Sequence, residues 1–464
     1  MALIRPRHLR SLIGAVAGVS LLAASAPPAK AQEGAPISLI RDTEVEEILH
    51  KECDPIFAAA DINPAEVKIH IVNDGTLNAF TAGGLNIFLN TGLIIQTDDP
   101  DQLIGVVAHE TGHMAGGDVA HSGAMGHAGL GPLLLGLGLG ALAAAAGAPD
   151  AAAGLVYSGS YFAAINELGY SREQESRADA AAVTYLEKAG YSGKGLVDFF
   201  NKFRYQEVFS DDRKFPFWRD HPLTDERIDA LAVRVAKEPH YNVVDSPEAK
   251  ALHEVMKAKL VGFLDQPMIT FQVYPPSDKS FPARYARAIA YYKENETATA
   301  VAKIDELIVE RPTDPYLYEL KGQVLFEAGR AKEAEPPFRK SVELKPDAPL
   351  LRINLAQALL AENDPQRVDE AISDLHLALG AEQDNPLGWR LLAEAYDSKG
   401  EQGMARLAAA EQNFNLGQMK DARIFAFRAR ELLKKNSPEW RRATDIFLAS
   451  DPSKDDMKVL GSSG

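Results

Sequence analysis

Val67, Ile69 and Ile71 point one way and Lys68 and His70 the other, so the segment from Val67 to Val72 alternates with a period of two. That period predicts a half-buried strand. Leu85 to Asn90 repeats the alternation after Gly83-Gly84. Two such runs with glycines between them predict a hairpin or meander. A different pattern follows. Leu103, Ile104, Val106 and Val107 form the apolar body of a helix that Asp99 can cap, with Pro100 at its first position and Gln102 placed to reach back. Gly116-Gly117 can end it. A second helix is predicted from Ser171 to Ala189, with Ser171 and Gln174 as a capping box and Gly190 as its stop. Two weakly polar runs lie between these helices, Ala128 to Gly147 and Ala151 to Ile165. Gly and Ala supply little hydrophobic drive, so the expectation is a hairpin over the cleft or against a membrane surface rather than a span.

Leu264 to Pro282 holds Pro267, Pro275, Pro276 and Pro282 and little helical patterning, which reads as a linker. Beyond it the chain repeats. Ala288, Ala300 and Pro312 return as Gly322, Ala334 and Pro346, each displaced by 34 residues, and Ala356 continues the series. Small residues let paired helices approach and the proline closes each unit, which is the tetratricopeptide signature. Phe338 sits four after Ala334 as that pattern expects. Ala371 and Pro386 slip downstream, so their unit carries a short insertion, and Trp389, Ala393, Tyr396 and Ala405 begin a further unit. About four hairpins are expected to residue 435, then an irregular tail over 436–464. Such stacks form concave grooves for extended partners.

Composition narrows the functions available. The chain has 464 residues, 46% hydrophobic and 25% charged, with 49 Lys plus Arg against 65 Asp plus Glu and a net charge of −16. A chain this acidic is a poor match for general nucleic-acid binding. The single cysteine, Cys53, excludes an internal disulfide framework and a CxxC zinc ribbon, so a metal would be held by His, Asp and Glu. Arg5, Arg7, His8 and Arg10 precede an uncharged run from Ser11 to about Ala26, and Ala29-Lys30-Ala31 fits a small-x-small cleavage site. This predicts a signal peptide over 1–31 and an exported protein, which in a Gram-negative cell means the periplasm.

His109-Glu110-Thr111-Gly112-His113 is the HExxH pattern. Positions four apart share a helical face, so both imidazoles can reach one ion, and Glu110 is placed to take a proton from water beside it. A bound zinc lowers the pKa of water to about 7 and polarises a carbonyl. Two histidines leave such a site one protein ligand short. The helix from Ser171 carries Glu173, Glu175 and Asp179, and Glu175 and Asp179 are four apart, so one can bind metal while the other supports an imidazole. Spacing alone does not rank Glu173 against Glu175.

With Glu175-Ser176-Arg177-Ala178-Asp179 following His113 by 62 residues, the chain resembles the gluzincin metalloproteases, the family that includes the CAAX prenyl proteases. The resemblance implies that Glu175 is the third zinc ligand beside His109 and His113, and that Asp179 supports a ligand. It covers about residues 37 to 435. Asn78-Ala79-Phe80 and Asn90-Thr91-Gly92-Leu93 resemble the family's segment before HExxH, where a strand beside the cleft pairs with substrate backbone. His221-Pro222, followed by Arg227, matches its His-Pro-x-x-x-x-Arg element. The resemblance puts His221 over the cleft, either donating to the oxyanion or filling the open zinc position at rest. Arg227 is expected to contact a structural or substrate carboxylate, and His121 and His127 to be solvent-facing loop residues.

The expected architecture is mainly α: an HExxH zincin α+β protease domain with a small sheet over 37–263, a linker over 264–282, and a tetratricopeptide α-solenoid over 283–435. The export signal and the repeats make the chain most similar to the family's periplasmic branch, whose clients are outer-membrane proteins stalled in assembly. The expected activity is a zinc-dependent endopeptidase with one Zn2+ per chain, polypeptide substrates, and the array docking clients or an assembly machine. N and O donors admit other divalent ions, so zinc is an expectation from ligand type. The rival reading is a chaperone or scaffold that binds through its array with little proteolysis. A prenyl-protein protease is a second rival that leaves both the export signal and the array unexplained.

Overall fold

A computed structural model of the chain describes residues 38–118, 172–203, 221, 223–362, 364–454 and 456–457. The expected signal peptide, the apolar runs within 128–165, and His121 and His127 lie outside these residues. Among the described residues no helix is long and apolar enough to cross a membrane.

The small sheet has the order β1-β2-β4-β3, with β1 at Leu39–Ile40, β2 at Lys68–Val72, β3 at Ala79–Thr81 and β4 at Asn86–Asn90. The two alternating runs do not form a hairpin or a simple meander with each other. β2 and β4 run parallel, Ile69 opposite Ile87 and Ile71 opposite Leu89. Parallel neighbours need a longer connection than a hairpin turn, and the connection from 73 to 85 supplies it. β3 lies within it and makes the antiparallel hairpin with β4, turning at Gly83 and Gly84, both at positive φ. β3 is only three residues long, too short for an alternating pattern to reveal. Ile69, Ile71, Ile87 and Leu89 face a common core with α1 (Thr43–Ala59).

α2 (Thr91–Gln96) leads to the central helix α3 (Pro100–Gly116). Every residue of α3 from Gln102 to His113 is buried. A helix covered on all sides belongs inside a domain rather than at its surface. It packs against α1, β3, α4 (Arg172–Ala189) and α5 (Lys194–Phe203). The expected capping box is displaced by one residue: the Gln102 side chain accepts from the Asp98 backbone N–H, and Asp99 makes no side-chain cap. α3 ends at Gly117, in the left-handed conformation at φ 68. α4 ends at Gly190; the Ser171 half of its expected cap lies outside the described residues. α6 (Asp225–Val235) starts at Thr224, whose hydroxyl accepts from the Arg227 N–H.

α7 (Pro247–Leu264) belongs to two cores, with Met256 and Leu260 facing the sheet and helices and Val255 facing the solenoid. The expected linker contains a helix, α8 (Pro267–Val273), because Pro267 sits at its first position, where a missing N–H costs nothing.

The solenoid then stacks helix pairs: α9 (Phe281–Lys293) with α10 (Thr297–Glu310), α11 (Pro315–Glu327) with α12 (Ala331–Leu344), α13 (Pro349–Ala361) with α14 (Pro365–Ala381), and α15 (Pro386–Ser398) with α16 (Gln402–Asn415). α14 has 17 residues where α12 has 14, so the insertion lengthens a helix rather than a loop. Gly322 is required to be small, since a Cβ there would meet the Phe338 ring at 2.5 Å. α17 (Met419–Leu432) is followed, in the stretch expected to be irregular, by α18 (Pro438–Ala449). Ala443, Ile446 and Phe447 of α18 bury against Ala422, Ala426 and Ala429 of α17, forming a fifth pair.

Charged and polar groups join α7 and the array to α1, to the residues just before it and to β2. Lys259 Nζ lies 2.8 Å from Asp42 and 3.0 Å from Glu44, and the Tyr285 hydroxyl donates to Glu44 at 2.8 Å. Further along, Lys345 pairs with Glu47 at 2.8 Å, Arg41 with Glu382 at 2.9 Å, and Lys68 with Asp384 at 3.1 Å.

Candidate metal centre

The last two turns of α3 carry His109, Glu110 and His113, all with no exposed surface. Two close approaches hold this helix in place. Gly105 packs on Leu196 of α5, and Gly112 lies where a Cβ would meet the Ala178 backbone of α4 at 2.9 Å. Gly112 therefore lets α4 come near enough for its carboxylates to reach the histidines.

One donor atom each from His109, His113, Glu175 and His221 lies within 4.8 Å of the others, and all four residues are buried. His109 Nε2 is 3.2 Å from His113 Nε2 and 3.3 Å from His221 Nδ1. Glu175 places Oε1 3.0 Å from His221 Nδ1 and 3.4 Å from His113 Nε2, with Oε2 3.4 Å from His109 Nε2. Ligand atoms of a tetrahedral ion bound at about 2.0–2.1 Å stand roughly 3.3 Å apart. Three imidazoles and a carboxylate at these separations fit such an ion, and the N and O donors suit zinc. Glu173 is elsewhere: its carboxylate is 86% exposed and pairs with Arg177, because two residues along a helix turns the side chain away from the face of Glu175.

The opposite ring atoms are also engaged. His109 Nδ1 is 3.0 Å from Asp179 Oδ1. Arg227 grips both oxygens of that carboxylate, Nε at 2.7 Å and Nη2 at 2.8 Å, and reaches Glu175 Oε2 at 2.5 Å with Nη1. Its guanidinium lies over the Phe200 ring. Arg227 thus contacts two carboxylates of the chain itself. On the other side, His113 Nδ1 is 3.1 Å from Asp118 Oδ2. Sequence reasoning did not find Asp118; the pair Gly116-Gly117 directly before it was the available signal. His221 Nε2 lies 3.3 Å from Glu110 Oε1.

The electrostatics keep Glu175 ionised beside the histidines and set the imidazoles apart from one another. Burial would push the Glu175 carboxyl up, but His221, His109 and His113 overcome it and hold the group well below the usual carboxylate range. Burial would lower His109, yet Asp179 and Glu175 raise it to about 9. His221 goes the other way, to about 3, because burial and repulsion from His109 and His113 outweigh Glu175. Burial also lowers His113. Asp179 stays ionised at about 2, the pull of Arg227 and His109 exceeding its desolvation.

β3 is packed against α3 at the end of the described sheet, pairing with β4 on one side only. Asn78, Ala79 and Phe80 are buried, Phe80 is stacked on Phe88, and the Asn78 carbonyl accepts from the Asn90 N–H.

A buried HExxH helix crossed by a second acid-bearing helix, joined to a solenoid of helix pairs, defines a metallopeptidase-type domain carrying a repeat array. Residues 41–235 match the model of Peptidase family M48. Similar proteins extend over the array as well. A beta-barrel assembly-enhancing protease of Yersinia pestis is 24% identical over 376 residues, covering 78% of this chain and 75% of that protein. Its namesake in Escherichia coli K12 is 24% identical over 369 residues, covering 78% and 74%. A putative one in Vibrio cholerae is 22% identical over 366 residues, covering 77% and 74%.

Proposed function

We propose that the chain is an exported zinc endopeptidase of the periplasm that cleaves or assists misassembled outer-membrane proteins. The convergence of His109, His113, Glu175 and His221 within 4.8 Å carries the metal part of this reading. His109, His113 and Glu175 hold the ion. When bound, zinc supplies a Lewis acid for the scissile carbonyl and acidifies water. Glu110, one residue beyond His109, takes the proton of the attacking water and delivers it to the leaving amine. Asp179, fixed by Arg227, keeps the His109 proton on Nδ1 and its Nε2 lone pair toward the centre. β3, through Asn78, Ala79 and Phe80, offers its outer edge to an extended substrate.

His221 presents Nδ1 to the same centre, so the chain supplies four donors. A catalytic zinc keeps one position open. We therefore read this arrangement as the resting form, from which His221 withdraws before substrate enters. The division into a protease domain over 37–263 and an array over 283–435 is part of the proposal. The array recruits clients or an assembly machine, a role that the names of these relatives support. Cleavage of an unfolded client by the mature chain, compared with Glu110→Gln, tests the reading. Equal turnover by the two would leave the array-based scaffold as the function.

A further inference from the structure

We propose that Asp118 is a positioning residue for metal binding, acting on His113 as Asp179 acts on His109; the inference rests on the metal reading above. Asp118 directly follows the turn that ends α3. Gly117 adopts φ 68, a left-handed conformation that glycine takes without strain, and this turns the chain back toward the helix. Asp118 is 5% exposed, and its Oδ2 arrives 3.1 Å from His113 Nδ1. The residue before the turn leaves room for it: a Cβ on Gly116 would stand 3.2 Å from that same Oδ2.

The other oxygen of Asp118 is held from α4. Oδ1 accepts from Arg177 Nη2 at 2.8 Å and from Gln174 Nε2 at 3.2 Å. The two imidazoles have related surroundings, with hydrogen-bond geometry at His113 and a 3.0 Å approach at His109. Each has a carboxylate on Nδ1, and each carboxylate is gripped by an arginine, Arg227 for Asp179 and Arg177 for Asp118. A carboxylate that accepts from Nδ1–H fixes the tautomer, aims Nε2 inward and makes it a better donor. Gln174 and Arg177 flank Glu175 on α4, so the Asp118 carboxylate also ties the C-terminal turn of α3 to the helix bearing the third donor. That second role is structural, and the two roles separate by experiment.

Zinc affinity of the mature full chain, measured by competition with a chromophoric chelator, is compared across Asp118→Ala, Asp118→Asn and Arg177→Ala, with metal-free melting temperatures alongside. Asp118→Ala is expected to weaken zinc binding 10- to 100-fold. Asp118→Asn keeps an acceptor oxygen without the charge and is expected to fall between it and wild type. Arg177→Ala cuts the tie to α4 but leaves the imidazole contact, so it is expected to move metal-free stability more than affinity. Wild-type affinity in both Asp118 variants overturns the proposal, as does a loss in Arg177→Ala equal to that in Asp118→Ala. If Asp118→Ala does not fold, Asp118→Asn decides alone. A wild-type chain that takes up no zinc overturns the metal reading itself, and the inference with it.

Discussion

His221 Nε2 stands 3.3 Å from Glu110 Oε1, while the Nδ1 of the same ring faces the donor cluster. One imidazole therefore spans the proposed base and the proposed metal position. If it closes the site at rest, His221→Ala exchanges an internal donor for solvent, and peptidase activity rises while zinc affinity falls. A peptidase assay paired with a zinc titration checks this. Loss of activity at unchanged affinity would instead assign His221 to the oxyanion.

Glu110→Gln removes the proton acceptor but adds no bulk. Activity is expected to drop by about 10²- to 10⁴-fold, the range for a lost general base. Zinc content should remain that of the wild type. A variant that loses metal together with activity would mean that Glu110 is a ligand and not the base.

Chelation is expected to abolish activity and lower the melting temperature. Free zinc at a hundred times its dissociation constant contributes about 2.7 kcal/mol to stability. Glu175→Ala should gain less melting temperature from added zinc than the wild type does. A zinc-dependent shift in that variant as large as in the wild type would exclude Glu175 as a ligand.

Gly112 has a packing duty as well as a place in the motif. Gly112→Ala puts a methyl group 2.9 Å from the Ala178 Cα, where backbone must give way. Overpacking of this kind costs about 1–3 kcal/mol. Denaturant unfolding of the metal-free chain reads it, and the separation of α3 from α4 should weaken zinc binding too. Unchanged stability would show that the helices accommodate the methyl freely.

The junction with the array makes stability depend on pH. Lys259 stays protonated against its burial because Asp42, Glu44 and other acids surround it. Burial, with Asp314 and Asp42 adding to it and Lys259 opposing, pushes the Glu44 carboxyl up to about 7. An unfolded glutamate titrates near about 4.3. The folded chain then holds the extra proton between these values, so this contribution is complete below about pH 4.3 and is lost as pH rises through 7. Relative to Glu44→Gln, the wild type should lose melting temperature between pH 5 and 8. A relative gain over that range would refute the assignment.

The HExxH helix was legible because its motif continues the helical period of the apolar positions before it, and the array because small residues return every 34 positions. Strand pairing was not. Ile69 and Ile87 alternate equally well in a hairpin or in parallel, and what decided between them was β3, three residues without a pattern of their own. Spacing left Glu173 and Glu175 tied until burial of one carboxylate and exposure of the other separated them. Asp118 was missed because the Gly116-Gly117 pair marks a turn without saying what it delivers, and its partners Gln174 and Arg177 lie more than fifty residues away. α18 was missed because Trp440, Ile446 and Phe447 continue a helical face without the spacing of the repeats.

X-ray absorption at the zinc edge of the mature, zinc-replete chain tests the central claim most directly. The account predicts one zinc per chain with four N or O neighbours at about 2.0–2.1 Å, three of them imidazoles at rest and two after His221→Ala. A chain without stoichiometric zinc, or a zinc shell lacking imidazole that survives His113→Ala unchanged, would contradict it.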